Sequence, residues 1–149
     1  MTSLIFGSTA TSTRQDITLL VGRVALGFVL IAHGWQKVFT YGIDGATASF
    51  EQMGIPLAAA AAVFAAVVEL VGGILLIVGL AVPLVGLLVA IDMIGALLFV
   101  HAPNGVFVGD GGYELVLVIG ALGVVFAGVG AGGYALDRLV AGRRTAVNA

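Results

Sequence analysis

The sequence contains no cysteine in its 149 residues. Structural disulfides, thiolate-held zinc or iron–sulfur clusters, and a dithiol redox step carried by the chain itself are thereby excluded. Charge is nearly as scarce. Only 9% of residues are Asp, Glu, Lys or Arg, where a soluble domain carries about 25%. The formal net charge of -2 offers no basic face for nucleic acid. The Ser/Thr-rich start, MTSLIFGSTATSTRQD, lacks the basic region, short apolar core and cleavage site of a removable signal. The first apolar segment is therefore expected to act as an uncleaved anchor.

What the chain does have is apolar surface: 60% of residues are hydrophobic and the mean hydropathy is +1.19. A compact soluble fold of this length could not hide that much. Crossing a bilayer takes about 20 mostly apolar residues, and four segments qualify: 17–38, 57–80, 83–100 and 113–136. None alternates polar and apolar as a barrel strand does. The expected fold is an all-α membrane protein, a single-domain bundle of four transmembrane helices. Residues 81–83 leave room only for a tight hairpin, with Pro83 in the first turn of a helix. HAPNGVFVGDGG reads as a loop. The connection after the first segment reads either as a polar loop or as a short interfacial helix over 44–53, with Phe50 and Met53 on one side.

Arg14, Arg138, Arg143 and Arg144 flank one side of the segments, while Asp44, Glu51 and Asp110 lie in the opposite loops. The positive-inside rule then places both termini in the cytoplasm, and the Ala/Gly/Val bias points to a high-GC bacterium, so the chain is expected to be multi-pass in a bacterial cytoplasmic (inner) membrane.

Ionisable residues inside such segments are costly, about 2.5–3.5 kcal/mol at a helix centre on insertion scales. Arg23, Glu69 and Asp92 lie about 10, 16 and 13 Å in from the cytoplasmic side at 1.5 Å per residue. Those depths lead to an expected Arg23–Glu69–Asp92 cluster in the bundle centre, the candidate catalytic group. Glu69 shares a helix face with Ala62, Ala65, Ala66, Gly72 and Gly73, and Asp92 with Gly95 and Ala96. Small residues of this kind favour close helix approach in lipid. A second group, His33, Lys37, His101 and Glu114, gathers at the outer ends as a candidate ligand-binding set for proton exchange or a polar head group. Structural alternatives stand beside each. Arg23 could be a polar staple, His33 and Lys37 could snorkel, and His101 could cap a helix end. Two histidines with scattered carboxylates make no metal site. The run 128–133 matches G-x-G-x-x-G, but it closes a membrane helix and has no preceding strand, so it is not a dinucleotide fingerprint.

The order of these features resembles the DoxX family of small bacterial membrane proteins. The likeness rests on Gly22-Arg23, HGWQKVF (33–39), GIP (54–56), ELVGGILLIVGL (69–80), His101 ahead of a Gly-rich loop, Tyr113-Glu114 and GVGAGGYALD (128–137). It covers 17–139, and departs from the family ending only in having Tyr134 where Ser is usual. The resemblance implies a four-helix bundle associated with thiosulfate oxidation, thiol balance or oxidative stress. The leading expectation is a membrane subunit or accessory of quinone- or thiol-linked redox chemistry, with a quinone as the candidate cofactor. If enzymatic, it would be an oxidoreductase subunit acting with a soluble or membrane redox partner. The rival expectations are a non-catalytic scaffold, self-associating or docked to partner helices, and a small proton-coupled transporter.

Overall fold

The computed structural model describes residues 12–138. The start of the Ser/Thr-rich leader and the Arg143-Arg144 pair lie outside the described residues. Ser12 opens helix α1 (Thr13–Trp35): its hydroxyl accepts from the Gln15 amide while the Gln15 side chain accepts from the Ser12 amide. This reciprocal cap satisfies amides that a helix start leaves free. α1 widens into a π turn (Gln36–Thr40) and is followed by α2 (Gly42–Gln52). α3 (Ala58–Val78) and α4 (Val82–Ala96) come next, and α4 in turn widens into a second π turn (Leu97–His101). Two short 3-10 turns cross the loop to α5 (Glu114–Val129). No strand occurs among the described residues. The chain is thus an all-helical membrane bundle of about four spans, three helices being long and apolar enough to cross and the fourth, α5, shorter.

The bundle is built from two antiparallel pairs, α1 with α3 and α4 with α5, with lighter packing between α3 and α4. Glycines close each pair. A Cβ on Gly27 would lie 2.6 Å from the Gly73 carbonyl, and one on Gly73 2.7 Å from that of Gly27. Gly86 and Gly123 oppose each other in the same way in the second pair. In lipid, where apolar burial drives little association, such backbone contact is a main source of helix–helix attraction. Val21, Phe28, Val67, Ile74, Leu87 and Ile94 point outward and suit lipid.

We call the end where α1 and α4 begin the near end, and the end that carries α2 the far end. At the near end α3 turns into α4 through Gly79, Leu80 and Ala81, where Gly79 has φ 73° and Ala81 φ 53°. α5 stops at Val129 although the apolar run continues to Leu136. Its 16 residues span roughly 24 Å, less than the ~30 Å hydrocarbon core. The following residues, Gly130 and Ala131, are non-helical and buried. Irregular backbone at that depth needs partners from the protein, because lipid offers none.

Candidate functional site

Those partners are the near-end charges. The fully buried Arg23 donates from Nη1 to the Leu76 carbonyl (2.7 Å) and the Ile77 carbonyl (3.3 Å), and from Nη2 to the Tyr134 carbonyl (2.6 Å). Leu76 and Ile77 belong to the last turn of α3, where carbonyls are left without i+4 amides, although the Leu76 carbonyl also accepts from the Gly79 amide, and the dipole favours a cation. Asp137 mirrors this: its carboxylate accepts from the amides of Ala81 (2.7 Å) and Val82 (3.1 Å), the opening of α4, and its own amide donates to Gly79 (2.9 Å). An anion at a helix start and a cation at a helix end both follow the macrodipole. Asp16 Oδ1 accepts from the Gly133 amide at 2.5 Å. Arg23, Asp16 and Asp137 together clasp the irregular stretch after α5 to α1 and to the α3–α4 hairpin. Gly79 is confined to glycine both by its left-handed φ and by space, since a Cβ there would meet the Arg23 guanidinium and Ala135.

The far end is built differently. Between the two helix pairs lies a cavity of about 520 Å³. Its walls are largely apolar and include Phe50, Phe64 and Phe99; Phe50 and Met53 reach it from α2. Its polar groups are Lys37, Glu69, Asp92, His33 and His101. Lys37 Nζ donates to Glu69 Oε2 at 2.6 Å, with the side chains 18% and 7% exposed. Asp92 Oδ2 is buried and has no hydrogen-bond partner among the described residues. An isolated buried acceptor is unfavourable by about 1–3 kcal/mol, so this oxygen marks where a donor from outside the chain would fit. His101 Nδ1 lies 2.7 Å from the Gly111 carbonyl. A carbonyl only accepts, so Nδ1 is the donor of this hydrogen bond and Nε2 is the ring nitrogen left toward other partners. Lys37 and His101 both lie on the π turns that end α1 and α4; single π turns recur at functional sites.

The structure does not bring Arg23 to Glu69 or Asp92. Helix side chains lean toward their own N-terminus. That sends Arg23 toward the near end and Glu69, on an antiparallel helix, toward the far end. Register does the rest. With Gly27 against Gly73, Arg23 one turn earlier meets Leu76 and Ile77 one turn later, while Lys37, one turn past Gly34, meets Glu69. The expected cluster of Arg23, Glu69 and Asp92 is thus replaced by Lys37, Glu69 and Asp92 around one cavity. Glu114 is not among the cavity walls: its Oε1 accepts from the Val108 amide at 2.7 Å and fixes the loop. His33 is exposed and edges the cavity from α1. The roles of Asp16 and Asp137 were missed from sequence. The available signal was the orphaned polar backbone of a glycine-rich helix ending, which requires buried donors and acceptors.

Comparison with known proteins gives a consistent picture. The family model described as DoxX matches residues 18–102. The Bacillus subtilis (strain 168) protein named "Putative oxidoreductase CatD" is 31% identical over 113 residues, 76% of this chain and 81% of that protein. The Mycobacterium tuberculosis (strain ATCC 25618 / H37Rv) protein named "Uncharacterized membrane protein Rv3486" is 31% identical over 140 residues, 85% of this chain and 83% of that protein. No solved structure matches.

Proposed function

From the premise that the chain belongs to the DoxX family, we propose that it is a membrane accessory of redox chemistry that holds the polar head group of a quinone in the far-end cavity. The observation that carries this is the pairing of an apolar, aromatic-walled cavity with one ion pair and one unpartnered carboxylate oxygen. Sites for small ligands combine mostly apolar walls with a few convergent polar groups. The chain itself holds no thiol, so electrons would come from a bound cofactor, a substrate or a partner, and a bound quinone would supply a proton-coupled electron carrier. The side chains do the rest. Lys37 Nζ would offer donors to a quinone carbonyl, Glu69 sets the direction of that ammonium, and Asp92, lining the same cavity, would hold a hydrogen bond or a proton to the head group. His101, with Nε2 left toward other partners, links the cavity to the loop side. The name of the Bacillus relative, with its word oxidoreductase, supports the same direction. The chain's charge pattern orients the cavity toward the outer face of the bacterial cytoplasmic membrane.

Calorimetric titration of the detergent-solubilised protein with decylubiquinone tests this. Saturable binding is expected, with affinity at least tenfold weaker in Lys37→Gln. Absence of saturable binding to the wild type overturns the proposal.

A further inference from the structure

Resting on that reading, we propose that the ligand's apolar tail leaves the cavity sideways, through a cleft between α3 and α4 that Gly95 keeps open to the bilayer. A glycine inside a membrane helix usually lets a neighbouring backbone approach, and Gly27, Gly73, Gly86 and Gly123 all do so here. Gly95 does not: it lines the cavity and is partly buried, yet an added Cβ would find no atom within 4 Å. The small Ala61 and Ala65 of α3 line the same cavity. Small residues thus line the cavity on both α3 and α4, and the space beside Gly95 is unfilled.

Its outer lips are apolar and face outward: Phe64 is 37% and Ile91 49% exposed, and both also line the cavity. Helical phase agrees. Ile91 and Gly95 are one turn apart on α4, as Ala61 and Phe64 are on α3, so each pair forms one edge of the cleft. The cleft continues inward to Glu69 and Asp92 on the same two helices. A passage with polar groups at its inner end and apolar lips at membrane level fits an amphiphile with a compact head and a long hydrocarbon tail. A fully water-soluble substrate such as a small oxyanion would gain nothing from those lips. Gly95 is on this account a specificity-determining residue that admits the tail and takes no part in head-group binding.

The test compares two probes of the same head group, decylubiquinone and its tail-less dimethoxy-methyl-benzoquinone parent, on wild type, Gly95→Leu and the control Gly128→Leu. Gly128 is an exposed helical glycine near the other end, and its added Cβ likewise meets nothing. Both variants are expected to melt no lower than wild type, since leucine favours helix over glycine. Gly95→Leu should weaken decylubiquinone binding at least tenfold and change binding of the tail-less parent less than twofold; Gly128→Leu should change neither. If Gly95→Leu affects both probes alike, or neither, the lateral passage is wrong while the head-group site stands. If wild type binds neither probe, both readings fall together.

Discussion

The two ends of this bundle use buried charge in opposite ways. At the near end, Arg23 and Asp137 spend their hydrogen bonds on backbone: carbonyls closing α3, amides opening α4, and the irregular chain after α5. At the far end, Lys37 and Glu69 bond each other, Asp92 keeps an oxygen without a partner, and a cavity lies beside them. The first arrangement serves mainly the fold, although the buried Arg23 Nε has no hydrogen-bond partner among the described residues, and the second leaves capacity beside a cavity. Depth in the membrane does not separate them. What separates them is whether the local backbone has orphaned groups to satisfy.

That comparison can be broken experimentally, beginning with the largest effect. Arg23→Leu removes the donors to three carbonyls and is expected to destabilise the protein by about 3 kcal/mol or more, read as a lowered melting midpoint in detergent. Arg23→Lys should recover only part, because an ammonium lacks the planar fork. A wild-type melt in Arg23→Leu would show that the near end is not a clasp. Gly86→Val, which drives a side chain against Gly123 and Ala127, should lower stability by roughly 2 kcal/mol; an unchanged melt would mean that the α4–α5 seam is loose. Asp137→Ala should lower stability by about 1–2 kcal/mol through loss of a cap. Replacing both members of the far-end pair, Lys37→Met with Glu69→Leu, should leave stability within about 1 kcal/mol of wild type while abolishing quinone binding. A collapse of the fold in that variant would erase the distinction between the ends. Asp92→Asn keeps the shape and should change only ligand affinity, by a few-fold, with the melt unmoved.

Much of the fold was legible in the sequence because lipid imposes simple demands. Twenty apolar residues without alternation must be a helix, and the four spans followed. The π turns were not legible: Gln36–Thr40 and Leu97–His101 have ordinary helical composition. Neither was the early end of α5, where the apolar run outlasts the helix. For the site, the titratable residues were found but partly mis-paired. Counting depth places Arg23 within reach of Glu69; it omits the direction in which each Cβ leans and the register that Gly27 and Gly73 impose. Lys37 looked like a residue at the membrane edge and proved to be the partner of Glu69. Asp92 could be seen as buried, but its unpartnered oxygen could not, since an absence of neighbours is a property of the folded chain alone.

The near-end clasp also has a mechanical consequence. It adds a polar tie to the apolar packing between the helix pairs, by Asp137 across the α3–α4 turn and Arg23 across α1, α3 and the chain beyond α5. A relative movement of the pairs would pivot at that tie, as in a pair of tongs, with the cavity between the tips. Asp92 is ten residues from Val82, a lever of about 15 Å, so a rotation of about 5° at the pivot moves it by roughly 1 Å relative to the facing arm. Rigidity at one end thereby sets how finely the gap at the other can be gauged.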